Sequence, residues 1–518
     1  MRNDTPDPLR QVPFMPQMLV GALSHTLGRP SLLMDDGRVF SAGQLHDILS
    51  QYGQAMKAAG IAKGDVLALL SGNRPEVLHI MFGAMMEEIV HLPLHPRGAV
   101  DDYLYILEDA GVSALVYDPA VYAAQAAELK QRRPGLKLLS LGGDAGVEDL
   151  AALAERQVPR PLVAPALDGS ELYRYGYTGG TTGKPKGVLS THAYGGYALM
   201  AQLAEWDWPA EVRVLICAPL SHVGAAVFLP TLIKNGSMIV MPGFDALATL
   251  QAIEKYRITC TLLVPTMIYA LLDHPRFSEF DLSSLECIYY GASAMSPARL
   301  EEAIGKLGPV FYQFYGQTEC TQMVTALRRH EHKLDDPFRM ASCGRPLPWV
   351  TVALLDDEGK EVPIGEPGEI CVRGATVMAG YHNLPEQTAE VLKDGWLHTG
   401  DVAVRDKDGY LRIVDRKKDM IVTGGFNVFP REVEDVISAH PGVAACAVIG
   451  VADSHWGEAI KAVIVRRAGA EVDPAEIIAM VREHKGGVQA PKTVDFVDAI
   501  PVTPIGKPDK KALREMYK

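Results

Sequence analysis

The sequence predicts a mixed α/β protein with a large N-terminal domain of wound α/β sheets, a small β-barrel-like layer, and a small α+β C-terminal domain. Three observations lead to this. Helical and extended hydrophobic periods alternate over residues 40–169 and again over 212–314. Over residues 342–415 the helical signal fades into short β-rich segments separated by turns. The charged run Asp415-Arg-Lys-Lys-Asp then separates two apolar strands, which sets the expected domains at 1–415 and 416–518.

In chain order, Ser41-Ala-Gly-Gln opens a helix whose apolar positions include Leu45, Leu49, Met56 and Ala59. Residues 66–70 read as a short buried strand, and Asn73-Arg-Pro starts another helix. Strands are expected at 89–94 and 113–117, and helices at 101–109 and 120–130. Residues 171–177 and 187–190 are apolar and bracket a Gly-rich loop, so that loop joins two strands at a sheet edge. Further strands are expected at 212–217, 237–241, 260–264, 287–290 and 310–314, with helices at 223–234, 247–256 and 297–307 between them. The β-rich stretch carries turn signals at Asp356-Asp-Glu-Gly, Ile364-Gly-Glu-Pro-Gly and Asp406-Lys-Asp-Gly.

Composition narrows the class. A chain of 518 residues with 48% hydrophobic and 22% charged content has room for a large core and two or more domains. A formal charge of -13 argues against a nucleic-acid partner, because phosphate neutralisation needs a basic surface. The seven cysteines show no metal-type or redox-type spacing and read as reduced, mostly buried thiols. No secretory signal is evident in MRNDTPDPLRQVPF, and no apolar run is long enough to span a bilayer, so a cytoplasmic enzyme or binding protein is expected.

The stretch that organises the chain is YTGGTTGKPKGV, residues 177–188. Glycines let it bend while hydroxyls, backbone N–H groups and two ammonium groups point at one anion. It does not fit the Walker loop: Gly179 to Gly183 is one residue short, and Pro185 stands where Ser or Thr would hold magnesium. Taken alone, it also reads as a flexible hairpin. In Tyr315-Gly-Gln-Thr-Glu319, a carboxylate beside a hydroxyl at a strand end suits a hard cation, while a helix cap is the plainer reading. In Gly395-Trp-Leu-His-Thr-Gly-Asp401 the acid follows a turn glycine and can accept from both hydroxyls of a ribose. Arg416 can reach a ribose or a phosphate, or be a solvated charge. Lys507, between Gly506 and Pro508 in Thr503-Pro-Ile-Gly-Lys-Pro, sits on a stiff loop suited to delivering a point charge.

Together these motifs resemble the adenylate-forming (ANL) acyl-CoA synthetase superfamily, most of all the bacterial fatty-acid–CoA ligases. YTGGTTGKPKG, YGQTE, GWLHTGD, DRKKDMIVTGG and the terminal PIGK occur in family order, and the resemblance spans residues 40–511. It implies an AMP-forming acid–CoA ligase that uses ATP, Mg2+ and coenzyme A. Thr178, Gly179, Gly180, Thr181, Thr182, Gly183 and Lys186 would close over the β- and γ-phosphates. Gly291, Ala292 and Ser293 would line the adenine pocket, where Tyr315 stacks beside Gly316. Thr318 would contact phosphate, Glu319 would bind magnesium, and Asp401 and Arg416 would hold the ribose. Lys507 would bridge carboxylate and phosphate in the first step.

The resemblance further implies that the C-terminal domain rotates about a hinge at Lys418, bringing Gly424 and Gly425 toward the pantetheine arm. His222 would stand beside the acyl pocket, or be a buried structural histidine. Val223, Gly224, Ala225, Ala226, Met295 and Met323 suggest a roomy apolar pocket with no basic residue for a second carboxylate. The expected substrate is a fatty or alicyclic acid. The alternatives are an aryl acid of the benzoate or cinnamate type, loading of a carrier protein, and a non-catalytic nucleotide-binding relative. The expected partners are a small carboxylic acid and no nucleic acid, without a membrane span, and a homodimer is compatible with the resemblance.

Overall fold

The computed structural model describes residues 12–178, 184–417, 419–423, 426–453, 456–503 and 508–517. Among these, a large α/β domain carries two wound sheets and an antiparallel layer, and a smaller α+β domain follows it.

The first wound sheet has seven strands, and its two last members are Leu172–Thr178 and Lys186–Thr191. They pair antiparallel, with Thr178 opposite Lys186, so the glycine-rich loop leaves from a sheet edge as its bracketing strands require. That edge is covered: Leu189 N–H donates to the Gly380 carbonyl and His382 N–H to the Gly187 carbonyl. The second wound sheet has nine strands. Its six parallel strands include Arg213–Ile216, Cys260–Leu263, Cys287–Tyr290 and Phe311–Tyr315. The last three are buried along their whole length, in keeping with their largely apolar runs.

The antiparallel layer is built from Val350–Leu355, Pro367–Gly374, Leu392–Lys393, Trp396–Arg405 and Leu411–Arg416, the β-rich stretch of the sequence. A further antiparallel set, led by Val443–Asp453 and Gly457–Arg466, forms the small domain with helices Pro430–Ser438 and Pro474–Lys485. One apolar core spans both wound sheets. At its centre Trp206 stacks on Tyr289 and Phe314, with ring centroids 4.4 and 5.3 Å apart.

Where structure and expectation differ, local chemistry explains it. The single helix expected at 223–234 is a 3-10 turn, Val223–Val227, followed by a short α-helix, Phe228–Ile233. Pro230 sits in that helix's first turn, where its missing N–H is not needed, and so cannot continue a helix from the preceding turn. Pro265 does not merely interrupt an apolar run but starts the helix Pro265–Leu272. The helices Met15–Ser24 and His192–Glu205 are additional to the sequence reading. In the latter, Gly195 and Gly196 blur the helical period. Gly195 is needed because a Cβ there would come within 2.6 Å of Met15 and 2.9 Å of the Tyr173 ring. Among the described residues, no helix is long and apolar enough to cross a membrane.

His79, on the buried helix Pro75–Met86, packs its ring 5.4 Å from Tyr52, and neither ring nitrogen finds a hydrogen-bond partner among the described residues. Burial lowers its pKa from 6.5 to about 4. The folded protein keeps this ring neutral, so its stability is intact above pH 6.5 and falls as the pH drops toward 4, where only the unfolded chain takes up the proton. Replacing His79→Leu should flatten that acid limb by up to about 3 kcal/mol, measured by urea unfolding at pH 7 and pH 4.5.

Candidate active site

One cavity of about 2570 Å³ runs between the wound sheets and reaches the small domain. Strand ends and the loops after them form its walls, the usual site of ligands in wound α/β sheets.

Asp401 is a buried acid of this cavity. It follows Gly400, whose φ of +73° makes the turn into the acid. Glu369 braces that turn by accepting from Gly400 N–H at 2.9 Å, and the His398 ring lies 3.2 Å from its other oxygen. Asp401 Oδ2 accepts from the Tyr315 hydroxyl and from Gln317 Nε2, both at 2.7 Å. Its Oδ1 lies 3.0 Å from Arg416 Nε, the residue opposite it in the antiparallel pair. Burial and the nearby Asp401 charge hold the Tyr315 hydroxyl well above the usual tyrosine range, so it remains a donor. Asp401 in turn raises the Arg416 pKa. Asp401 and Arg416 therefore present a fixed acid–base pair to the cavity rather than a plain turn residue and a loose surface charge.

Glu319 and Lys186 face the same cavity from opposite sides of Tyr381. The Tyr381 hydroxyl donates to Glu319 Oε1 at 2.9 Å, and Lys186 Nζ stands 5.0 Å above the tyrosine ring. Met378 N–H donates to the Glu319 carbonyl, so one segment of the antiparallel layer anchors both the glutamate and the edge strand of the glycine-rich loop. Thr318 caps no helix; residues 316–319 are irregular. Its methyl group lies over Gly176, where a Cβ would approach to 2.8 Å, and its carbonyl accepts from the Tyr194 hydroxyl at 2.9 Å. Gly316 must be glycine, since a Cβ would come within 2.3 Å of the Thr321 carbonyl oxygen.

Thr178, Lys186, His222, Ala292, Ser293, Tyr315, Gly316, Thr318, Glu319, Asp401 and Arg416 all line this one cavity. Gly291 does not line it and packs beneath, since a Cβ there would come within 2.4 Å of the Phe314 carbonyl oxygen. Ala292 carries the turn instead, at a left-handed φ of +63°. His222 Nδ1 lies 2.8 Å from Ser221 Oγ, and its ring meets His95 edge-on at 4.8 Å. Of the apolar pocket residues expected from the sequence, Val223, Ala225, Ala226 and Met295 line the cavity. Met323 lies in the core, and Gly224 is pressed against the Ala218 carbonyl. Gly179, Gly180, Thr181, Thr182, Gly183, Lys418, Gly424, Gly425 and Lys507 fall outside the described residues. Val502, Thr503, Pro508 and Asp509, on either side of Lys507, border the cavity. There the small domain docks through Arg431 Nη2, which donates to the Met295 carbonyl at 2.9 Å.

Sequence reasoning missed Gln317, Tyr381, Gln202 and Arg174. Gln317 lies inside the Tyr315–Glu319 motif and Tyr381 outside every motif, and the contacts of both become visible only when separate segments meet. Arg174 is a half-buried cation facing the cavity, contrary to the expectation of no basic residue there. Its Nη2 donates to the Ser221 carbonyl at 3.3 Å, and it makes no ion pair with any described residue.

The chain matches the AMP-binding enzyme family over residues 22–382 and the AMP-binding enzyme C-terminal domain over residues 432–507. It is 50% identical over 514 residues to the medium/long-chain-fatty-acid–CoA ligase FadD8 of Mycobacterium tuberculosis, covering 96% of this chain and 89% of that protein. It is 39% identical to the feruloyl-CoA synthase of an Amycolatopsis species, covering 93% and 94%. Among solved structures, the anthranilate CoA ligase AuaEII in complex with anthranoyl-AMP superposes with a TM-score of 0.90 at 26% identity, covering 98% of this chain and 97% of that one.

Replacing Tyr315→Phe or Gln317→Met removes one donor from a buried carboxylate. Each should lower stability by about 1.5–3 kcal/mol, read by chemical denaturation.

Proposed function

The chain belongs to the AMP-binding, adenylate-forming enzyme family, and we propose that its cavity converts a carboxylic acid, ATP and CoA into acyl-CoA, AMP and pyrophosphate. One observation supports this most directly. Asp401 with Arg416, Glu319 with Lys186, and both flanks of Lys507 border the same space, although they come from distant parts of the chain.

In the first step an oxygen of the substrate carboxylate attacks the α-phosphorus of ATP. The bond to the bridging oxygen breaks, and pyrophosphate leaves with the electron pair. The resulting acyl-AMP is then attacked at its carbonyl carbon by the CoA thiol; AMP leaves, and the thiol proton is released. The protein provides no nucleophile of its own. Its contribution is to position the reactants and stabilise charge.

The Asp401 carboxylate suits the ribose hydroxyls, because Tyr315, Gln317 and Arg416 hold it in one orientation. Tyr315 and the Ala292–Ser293 turn would bound the adenine. Lys186 and Thr178, at the base of the glycine-rich loop, would face the β- and γ-phosphates together with Gly179, Gly180, Thr181, Thr182 and Gly183. Glu319 fits a magnesium site, since it offers a hard oxygen with one tyrosine donor and makes no ion pair with a described residue. When bound, the metal would neutralise charge on the phosphate oxygens. His222 would close the carboxylate end of the acyl pocket.

We keep two domains but place the boundary one residue later than the expected 415/416, after Arg416, because Arg416 ends the last strand of the antiparallel layer, and we assign Lys418 to the hinge. Thr503 and Pro508, which flank Lys507, border the cavity, which suits the first step. Rotation about the hinge would then bring Gly424 and Gly425 forward for the thiol. The substrate class we favour is fatty, in line with the fatty-acid–CoA ligase at 50% identity. An aryl acid is the second reading, which the feruloyl-CoA synthase relative supports. We also place the enzyme in the cytoplasm, where ATP and CoA are at hand.

The test is AMP release with ATP, magnesium and CoA across straight-chain, alicyclic and cinnamate-type acids. The native enzyme should release AMP with one acid class, and Lys507→Ala should slow acyl-adenylate formation at least about 100-fold. Acid-dependent pyrophosphate release without a CoA thioester would point to an acceptor other than CoA.

A further inference from the structure

The helix His192–Glu205 lays one face along the cavity, presenting Gly195, Ala198, Leu199 and Gln202 at the three- and four-residue spacing of a single helical stripe. At its start the Tyr194 hydroxyl reaches the Thr318 carbonyl, which marks the end where the carboxylate reacts. Gln202 lies two turns beyond Gly195, roughly 11 Å along the axis. The Gln202 carbonyl is fixed by two donors, Trp206 N–H and Trp208 Nε1, both at 3.1 Å. Its side chain is not satisfied in the same way. Gln202 is 3% exposed and lines the cavity, yet its Nε2 has no hydrogen-bond partner among the described residues.

Met81, Phe82, Met85 and Leu229, which line the same cavity, can offer that amide nothing. A primary amide brings two donors and an acceptor, and burying it beside a methylene chain leaves them unmade. An acid that merely filled this arm would be bound better with Leu or Met at position 202.

We propose that Gln202 is a specificity-determining residue, which makes the pocket select acids bearing a hydrogen-bonding oxygen on the acyl tail about two helical turns from the reacting carboxylate. This rests on the ligase reading given above. Two acid types share the chemistry: arylpropenoic acids with a ring hydroxyl, and medium-length alkanoic acids oxygenated near the far end.

The experiment measures acid-dependent pyrophosphate release with ATP and magnesium for the full chain, Gln202→Leu and Gln202→Met. Matched acids are compared: cinnamate against 4-hydroxycinnamate, and octanoate against 8-hydroxyoctanoate. The native enzyme should favour the oxygenated member of at least one pair by about 10- to 100-fold in kcat/KM, and the pair that shows it identifies the acid type. Both variants should lose most of that preference and accept the plain acid at least as well as the native enzyme does. A native ratio within about twofold in both pairs, or a ratio that survives both substitutions, overturns the proposal.

Acid binding is read independently through the fluorescence of Trp206 and Trp208, which adjoin Gln202. If no acid yields pyrophosphate, the ligase reading falls. Quenching by the oxygenated acids alone, abolished in both variants, would still support the role of Gln202, and its absence would overturn it.

Discussion

A carboxylate buried in a protein must be supplied with donors, and at Asp401 this requirement joins the layers of the molecule. Tyr315 comes from the end of a strand in the nine-stranded sheet, Gln317 from the loop after it, and Arg416 from the last strand of the antiparallel layer. None of the three could satisfy the acid from its own segment. With Tyr315 held protonated and Arg416 charged, the Asp401 side chain is fixed beside the cavity before a ligand arrives.

A second tie does the same around Lys186 and Glu319. The segment around Met378 to His382 bonds to the edge strand behind the glycine-rich loop and to the backbone of Glu319, and places Tyr381 between Lys186 and Glu319. An edge strand is otherwise an open row of donors and acceptors. Covering it removes that liability and sets the distance between cation and acid. The tight glycines follow from the same closeness, since Gly176 and Gly316 lie where other backbone or side-chain atoms already occupy the Cβ position.

Away from Asp401 and Glu319 the cavity changes character. Apolar side chains from several helices line it, and among the polar groups between them Arg174 Nε and Gln202 Nε2 lack a hydrogen-bond partner among the described residues. Both come from segments whose pattern looks ordinary. Arg174 lies in a strand between tyrosines, and Gln202 in a helix whose period two glycines obscure. Their chemistry arises from where the neighbouring sheets and helices place them.

The order and type of the secondary elements were readable from the chain, because hydrophobic period, turn residues and glycine-rich loops are local signals. Strands 66–70 and 287–290, the helix after Asn73-Arg-Pro and the β-rich layer stand where the pattern put them. The segments around Asp401, Ala292–Ser293, Thr318–Glu319 and Lys186 were readable as site candidates too, since each is a short contiguous run, and all of them border one cavity. The helix that starts at Pro265, the displacement of Gly291 and Met323 from the cavity wall, and the roles of Gln317, Tyr381, Arg174 and Gln202 were not. Those depend on contacts between residues far apart in sequence, and no local pattern encodes which distant side chain will fill, or fail to fill, a neighbour's hydrogen-bonding capacity. The sequence by itself determined the elements and the reacting groups; tertiary structure decided which groups share one cavity, because only packing brings them within reach.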